Sequence, residues 1–234
     1  MSRPPLFGRV AVIAGASRGI GLAIAEELQG AGAHVVRLAR SLRSGEHDRR
    51  SDLRCDVTKP DEVARAARKV LKARGAPHVL VLNAGAFLIS PLTETSPEQF
   101  AEQLTGNLVA PFLVLRAFLR PMVERGSGLV VTVGSVADRR AFPGNAAYGA
   151  SKFGVRGLHG VLAEELAGTG VRATLLSPGP VDTELWDPID PDARPGFTKR
   201  RDMLRAEDIA EAVLFLATRP ERVAIPELQI EPRR

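Results

Sequence analysis

The feature that most restricts how this chain folds is an alternation of short apolar runs with longer segments of helical spacing. Several short runs are continuous in Val, Leu and Ile, which is typical of strands covered on both faces. The seven predicted strands are Arg9–Ala14, His34–Ala39, Asp52–Cys55, His78–Asn83, Gly128–Gly134, Val171–Ser177 and Glu227–Ile230. The alternation therefore predicts an α/β domain with a parallel sheet of about seven strands and helices on both faces.

The segments between the strands have the composition and the termini of helices. The predicted helices are Gly19–Ala31, Pro60–Arg74, Pro97–Glu124, Ala146–Ala167 and Ala206–Ala217. Thr58 and Ser96 each place a hydroxyl shortly before a proline in the first turn. Asp61 and Gln99 follow these hydroxyls at the three-residue spacing of a capping box.

The sequence is expected to form one domain over residues 1–234, because no repeat, low-complexity tract or linker divides it. Two segments look irregular. Ser41–Ser51 is too short for a full helix with two loops, so we expect an abbreviated crossover there. Pro178–Leu204 is too long for an ordinary connection, and a loop of that length predicts a lid over a substrate site.

Composition excludes several classes of protein. A single cysteine supplies neither an internal disulfide nor a multi-cysteine zinc site, and the four histidines have no spacing that converges on a metal. The net charge of +5 is scattered and aromatic residues make up only 5%, so nucleic-acid binding is not expected. With no apolar run of about 18 residues and no signal-like N-terminus, we expect a cytoplasmic protein without a membrane partner.

A glycine-rich segment follows the first predicted strand and opens the first predicted helix. It reads Gly15-Ala16-Ser17-Arg18-Gly19-Ile20-Gly21. Glycines there let backbone N–H groups approach a diphosphate, whose charge the helix dipole favours. The spacing differs from the Gly-x-Gly-x-x-Gly fingerprint, so a plain turn and helix cap remains the alternative.

The end of the second predicted strand bears on the choice of dinucleotide. NAD sites use an Asp or Glu there to bind the ribose hydroxyls, but this chain has Arg40. Arg40, and Arg18 in the glycine segment, can both donate charge-assisted hydrogen bonds to the 2′-phosphate of NADP. The pattern favours NADP(H) as the cofactor; the alternative is that both arginines are ordinary surface charges.

A candidate catalytic group surrounds the only tyrosine of the chain. Tyr148 and Lys152 are one helical turn apart, and a nearby ammonium is expected to lower the pKa of the phenol. Ser135 ends a predicted strand, where its hydroxyl can orient a substrate carbonyl. Asn107 lies in the long predicted helix, where its amide is expected to hold a water molecule.

Taken together, these motifs resemble the single-domain type of short-chain dehydrogenases/reductases. The matching set is Gly15-x-x-x-Gly19-x-Gly21, Asp56, Asn83-Ala84-Gly85, Asn107, Ser135, Tyr148-x-x-x-Lys152 and Pro178-Gly179. The resemblance implies a Rossmann-like, doubly wound sheet with NADP(H), and a homodimer or homotetramer. It also implies that Tyr148 is the acid/base, that Ser135 orients the carbonyl and that Lys152 binds the nicotinamide ribose. Asn107 would anchor a proton-relay water.

The resemblance also assigns residues to the cofactor and the substrate. Asp56 and Val57 would contact adenine, Asn83 and Gly85 would lie near the adenosine ribose, and Val181 and Thr183 would lie at the carboxamide. The full set expected at the cofactor is Gly15, Ser17, Arg18, Gly19, Ile20, Gly21, Arg40, Asp56, Val57, Asn83, Ala84, Gly85, Tyr148, Lys152, Pro178, Gly179, Val181 and Thr183. Residues expected at the substrate are Ser135, Asp138, Phe142, Leu185 and Trp186.

Several alternatives stay open at this point. Asp138, Arg139 and Arg140 either line the pocket mouth or lie on the surface, and the apolar candidates either form a pocket wall or pack in the core. Many family members have Thr and Asn where this chain has Ala14 and Leu82, and the segment before the last strand lacks their glycines. The sequence therefore predicts an NADP(H)-dependent oxidoreductase acting on a small carbonyl compound or alcohol; a non-catalytic NADP(H) sensor is the alternative.

Overall fold

The computed structural model describes residues 3–233, which form eight strands and six α-helices. The strands are β1 Val10–Ala14, β2 His34–Ala39, β3 Gly45–His47, β4 Arg50–Arg54, β5 Val79–Leu82, β6 Gly128–Val133, β7 Val171–Pro178 and β8 Glu227–Ile230. The helices are α1 Gly19–Gly30, α2 Pro60–Arg74, α3 Pro97–Leu104, α4 Ala110–Arg125, α5 Ala146–Glu165 and α6 Ala206–Ala217.

The strands form a single sheet in the order β3-β4-β2-β1-β5-β6-β7-β8. Every neighbouring pair is parallel except β3 with β4. The chain winds outward from β1 in both directions, so the strand order reverses between β1 and β5. Ligands of open α/β sheets bind beyond the carboxyl ends of the strands at such a point, which here lies beside Ala14 and Leu82.

The eighth strand corrects the prediction of about seven. Within the segment predicted as an abbreviated crossover, no helix forms, as expected, but Gly45–His47 pairs antiparallel with β4. The Ser51 hydroxyl donates to the Glu46 carboxylate across this pair at 2.6 Å. A three-residue polar strand carries no apolar alternation, which is why the sequence pattern did not indicate it.

Helix boundaries match the predictions to within about two residues, but the long helix and one cap differ in detail. A π-helical stretch, Thr105–Val109, joins α3 to α4. Ser96 forms the predicted capping box with Gln99. The prediction for Thr58 was wrong: its hydroxyl donates to the Asp56 carboxylate at 2.7 Å, and Lys59 occupies the N-cap position of α2.

The buried core divides into two apolar clusters, one on each face of the sheet. In β1, Val12 and Ala14 belong to the first cluster, whereas Ala11 and Ile13 belong to the second. The first cluster includes residues of α2, α4 and α5, and the second includes residues of α1 and α6. Because consecutive β1 residues are all buried, the strand shows a continuous apolar run rather than an alternation.

One helix of the described range, Pro97–Arg125, is long and apolar enough to span a membrane by length and composition. Its best window has a mean hydropathy of 1.3, and 39% of that window is buried inside the fold. Core helices of soluble proteins pass the same test. The helix contributes Val114, Phe118 and Met122 to the first apolar cluster, so its inner face is explained by packing on the sheet.

The four histidines take structural positions in the fold. His78 Nδ1 accepts a hydrogen bond from the Val10 amide, and the other rings lie near Ser51, Asp52 and Thr132. Among residues 3–233, His, Cys, Asp and Glu side chains form no group of three that could hold a metal ion.

We expect His159 to make stability depend on pH below neutrality. It is 5% exposed with Nδ1 2.9 Å from the Thr132 hydroxyl, and burial lowers its pKa from 6.5 to about 4. Between pH 6.5 and about 4, the His159 side chain is therefore protonated in the unfolded chain but neutral in the folded chain. The free energy of unfolding should fall by about 3 kcal/mol from this residue as pH drops from 6.5 to 4.

The test is urea denaturation of the wild type and of His159→Gln at pH 7 and pH 4.5. His78, whose pKa burial also lowers to about 4, is present in both proteins and contributes equally. The wild type should lose more stability than the variant over this interval. Equal losses would mean that His159 does not resist protonation in the folded state.

Candidate active site

The carboxyl ends of the central strands open into one cavity of about 1240 Å³. Its walls are the glycine segment after β1, the segments after β5 and β6, the first turns of α5, and the segment that follows β7. The predicted site residues that line it are Gly15, Ser17, Arg18, Gly19, Ile20, Arg40, Asp56, Val57, Asn83, Ala84, Gly85, Asn107, Ser135, Phe142, Tyr148, Lys152, Pro178, Gly179, Val181, Thr183, Leu185 and Trp186.

Two glycines of the segment, Gly15 and Gly21, are packed so closely against the backbone that neither position has room for a side chain. Gly15 has φ +81, and a Cβ there would lie 2.6 Å from the Ala84 Cα. A Cβ on Gly21 would lie 2.1 Å from the Gly15 carbonyl oxygen. That same oxygen accepts a hydrogen bond from Asn83 Nδ2 at 2.9 Å, which ties the segment to the end of β5. Gly21 itself does not line the cavity, so its contribution is close packing beneath the loop.

The charged residues that line this end of the cavity include two arginines, Arg18 and Arg40, and the acidic residues Asp56 and Glu184. Arg18 and Arg40 both line the cavity, and neither takes part in an ion pair of the described residues. Burial opposes ionisation of Asp56, but hydrogen bonds from Thr58 and the nearby charge of Arg40 hold its pKa below the usual value. Two unpaired guanidinium groups beside a glycine loop form a surface suited to phosphate groups.

The predicted catalytic side chains converge on the cavity. Ser135 follows β6 directly, and its Oγ accepts from the Ala137 amide at 3.1 Å. Its side chain also lies close enough to the Tyr148 phenol to lower the pKa of that group. Lys152 Nζ lies 5.7 Å from the centre of the Tyr148 ring and donates to the Val133 carbonyl at 3.1 Å. The i,i+4 spacing on α5 thus brings both residues to the same side of the helix.

The pKa values of this pair correct an expectation. Burial raises the pKa of Tyr148 to about 12, against the lowering effect of the nearby Ser135 side chain. Burial also lowers the pKa of Lys152 to about 8. The expected lowering of the tyrosine pKa by Lys152 does not appear, because desolvation dominates and the ammonium is bonded to Val133. Tyr148 is therefore a protonated phenol at neutral pH, able to donate a proton.

Asn107 lies in the π-helical stretch and is 1% exposed. Its Oδ1 accepts from the Ala86 amide at 2.9 Å, while its Nδ2 donates to the Ala86 carbonyl and to Ser151 Oγ, both at 2.9 Å. The predicted interruption of the helix is present. The amide's hydrogen bonds hold the backbone after β5 in place, and its use in anchoring a proton-relay water stays a prediction.

Aromatic rings form the wall beyond the tyrosine. Phe87 contacts Tyr148 edge-to-face with ring centres 4.8 Å apart, and contacts Trp186 in the same manner at 4.9 Å. Trp186 in turn packs against Phe197 at 6.3 Å. Phe87 and Phe197 were not predicted from the sequence, although Phe87 comes two residues after Asn83-Ala84-Gly85 and Phe197 lies in the predicted lid. Phe142 and Leu185 also line the cavity and are 40% and 42% exposed.

The predicted lid, residues 178–204, is structured by polar contacts. Arg200 bridges Asp182 and Asp187 at 2.6 Å and 2.5 Å. Lys199 Nζ donates to three backbone carbonyls, those of Pro191, Asp192 and Arg194. These contacts fold the segment beside the aromatic wall, so that Leu185 and Trp186 border the cavity.

The prediction that Asp138 lines the pocket mouth was wrong. Its side chain is completely buried, and its carboxylate accepts hydrogen bonds from the Ser135 amide and the Ser177 hydroxyl. Arg139 and Arg140 are directed to the last strand and its continuation, where they pair with Glu227 and Glu231. None of these three residues lines the cavity.

Comparisons with known proteins agree with this architecture. The model of the short chain dehydrogenase family matches residues 9–194. The 3-oxoacyl-[acyl-carrier-protein] reductase MabA of Mycobacterium avium is 34% identical over 219 residues, covering 92% of this chain and 85% of the relative. Glycine betaine reductase ATRR of Emericella nidulans is 33% identical over 242 residues, but the matching region covers 98% of this chain and only 19% of that larger protein.

A solved structure extends the likeness to three dimensions. The crystal structure of a metagenomic short-chain oxidoreductase in complex with NADP superposes with a TM-score of 0.81 at 33% identity, covering 98% of this chain and 99% of the other. The fold is thus the Rossmann-like doubly wound sheet. With the family model matched over most of its length and relatives above 30% identity, the chain belongs to the short-chain dehydrogenase family of oxidoreductases.

Proposed function

We propose that this protein is an NADP(H)-dependent oxidoreductase that interconverts a carbonyl group and a secondary alcohol of a small molecule, with Tyr148 as acid/base. One observation carries the proposal: Ser135, Tyr148 and Lys152 line the same cavity as the glycine segment. A proton donor, a carbonyl-orienting hydroxyl and a phosphate-binding loop are the parts that such a reaction needs.

The cofactor proposal rests on how the residues fit a dinucleotide. Gly15 and Gly19 line the cavity where β1 turns into α1, so that backbone N–H groups at the start of the helix can approach a diphosphate. Arg18 and Arg40 supply positive charge for the 2′-phosphate of NADP, and the solved relative with NADP bound supports this choice. The other cofactor contacts are proposed at Ser17, Ile20, Asp56, Val57, Asn83, Ala84, Gly85, Pro178, Gly179, Val181 and Thr183.

The chain's own residues would handle the substrate carbonyl and the proton. When bound, the nicotinamide would supply or take up the hydride. Ser135 would donate a hydrogen bond to the carbonyl oxygen and hold it beside Tyr148. Tyr148, whose pKa burial raises to about 12, would protonate that oxygen during reduction. Lys152 would keep a positive charge near the phenol below about pH 8.

The direct test is NADPH oxidation, followed at 340 nm, with a panel of ketones, keto acids, quinones and sugars. We expect turnover with at least one carbonyl class, and a preference for apolar or aromatic carbonyls because Phe87 and Trp186 form the wall next to Tyr148. Tight NADPH binding without turnover of any member would favour the alternative, a non-catalytic NADP(H) sensor.

Replacing Arg40 by Asp should reverse the cofactor preference. The new carboxylate would repel the 2′-phosphate of NADPH and accept hydrogen bonds from the ribose hydroxyls of NADH. We expect KM for NADPH to rise by about tenfold or more and KM for NADH to fall. Steady-state kinetics with both cofactors measure the change.

Arg68→Asp provides the matched control, since Arg68 is exposed on α2, outside the cavity lining, and the charge change is identical. It should leave both KM values unchanged. An Arg40→Asp protein with unaltered preference would show that Arg40 does not contact the cofactor.

Assembly as a homodimer or homotetramer, and location in the cytoplasm, remain predictions.

A further inference from the structure

A buried carboxylate lies directly behind the proposed catalytic serine. The Asp138 side chain has no exposed surface. Its Oδ2 accepts from the Ser135 amide at 3.3 Å and from the Ser177 hydroxyl at 2.5 Å, while its own amide donates to the Ser135 carbonyl at 2.8 Å. Ser135 is thus held through both of its backbone polar groups, and one side chain, that of Asp138, supplies the contact to its amide.

The backbone leaves space for this carboxylate. A Cβ on Gly134 would lie 2.4 Å from Asp138 Oδ2 and 3.2 Å from Ser177 Oγ. Any larger residue immediately before Ser135 would therefore displace the carboxylate. Gly134, Ser135 and Asp138 form one packed unit at the carboxyl end of β6, so the glycine is explained by the aspartate rather than by φ.

Charged groups from every neighbouring element surround Asp138. Arg139 Nε donates to its Oδ1 at 3.0 Å, and Arg156 Nη1 of α5 lies 3.6 Å from the same oxygen. Glu227 of β8 pairs with both arginines. The remaining titratable groups whose charges interact with it are Tyr148, Lys152 and His159, all on α5. The two guanidinium groups offset the cost of burying the carboxylate.

From this geometry we propose that Asp138 is a positioning residue: it holds the Ser135 hydroxyl toward Tyr148 and gives the Tyr148–Lys152 pair a fixed negative neighbour. The inference rests on the proposed function, since it concerns the same site. Asp138 itself does not touch the cavity, and therefore acts through Ser135 and through its charge.

The electrostatic part has a definite sign. The Asp138 charge raises the pKa of Tyr148 and raises that of Lys152, which burial lowers. Its removal should lower both values. The tyrosine would lose its proton at a lower pH, and the lysine would lose its positive charge at a lower pH. Both changes move the alkaline limb of the activity profile in the same direction, toward neutrality.

Asp138→Asn preserves the shape of the side chain and removes its charge. We expect kcat to fall by about tenfold to a hundredfold with KM for NADPH nearly unchanged, and the alkaline limb of the pH profile to move down by about one pH unit. Asp52→Asn is the matched control, because Asp52 is also a buried carboxylate, paired with Arg37 at 2.7 Å, and neither residue lines the cavity. The Asp52→Asn protein should be less stable than the wild type, but the pH dependence of its activity should be unchanged.

A second readout needs neither turnover nor cofactor. Tyr148 is the only tyrosine, so the chain labelled with [13Cζ]tyrosine gives one NMR resonance that reports its ionisation. We expect ionisation to begin at lower pH in Asp138→Asn than in the wild type or in Asp52→Asn. If Asp138→Asn does not fold, Ser177→Ala, which removes one hydrogen bond to the carboxylate, should lower kcat severalfold without changing KM for NADPH.

Each result separates this inference from the proposed function. A wild type that reduces no carbonyl refutes the function, while the tyrosine resonance still tests the charge of Asp138. A wild type that turns over, with Asp138→Asn matching it in kcat, profile and resonance, overturns the inference alone. Should Asp138→Asn fail to fold, an unchanged kcat in Ser177→Ala would overturn it.

Discussion

Replacing Tyr148 by Phe should lower kcat for carbonyl reduction by about a thousandfold or more, with little effect on NADPH binding. The substitution removes the phenol hydroxyl near Ser135 and keeps the ring that packs edge-to-face on Phe87. Packing and stability should therefore survive. Since this is the only phenol in the chain, no other tyrosine is available to replace its proton.

The measurements are kcat from NADPH oxidation and the NADPH dissociation constant from fluorescence titration. Unaltered binding with lost turnover assigns the proton transfer to Tyr148. A kcat within about tenfold of wild type would remove the phenol from the mechanism, because a general acid contributes at least a hundredfold.

Phe87→Leu tests the aromatic wall separately: it should alter KM for aromatic substrates more than it alters kcat.

The fold was largely predictable because its strongest signals are local. Runs such as Val79–Leu82 are continuous in apolar residues since both faces of the strand are covered, and the sequence records that directly. The antiparallel strand Gly45–His47 is polar and depends on pairing with β4, which no local pattern encodes. The Thr58 cap failed for a related reason, as Asp56 competes for the same hydroxyl.

The candidate site shows the same division between local and three-dimensional information. Tyr148 and Lys152 could be paired from the sequence because helical spacing alone brings them together. The sign of the tyrosine pKa shift could not be predicted from the sequence, because it depends on how much water the surrounding side chains exclude. The buried position of Asp138 was equally hidden: it requires Ser177, which lies on a strand distant in sequence.

Replacing Gly21 by Ala should disable the cofactor loop. The new Cβ would lie 2.1 Å from the Gly15 carbonyl oxygen and 2.5 Å from Asn83 Nδ2, both parts of the hydrogen bond that ties the loop to β5. A backbone oxygen cannot move aside as a flexible side chain can. We expect a loss of about 3 kcal/mol in the free energy of unfolding and at least about a hundredfold in NADPH affinity.

Gly30→Ala is the matched control for this change, because Gly30 ends the same helix and a Cβ there would meet nothing within 4 Å. In a helix, Ala in place of Gly should stabilise by up to about 1 kcal/mol. Urea denaturation and NADPH titration of the two variants should thus give opposite changes in stability, with binding lost only in Gly21→Ala. If the two variants showed the same stability and the same NADPH affinity, the loop would accommodate a methyl group at position 21. Its close packing against Asn83 would then not determine the shape of the dinucleotide site.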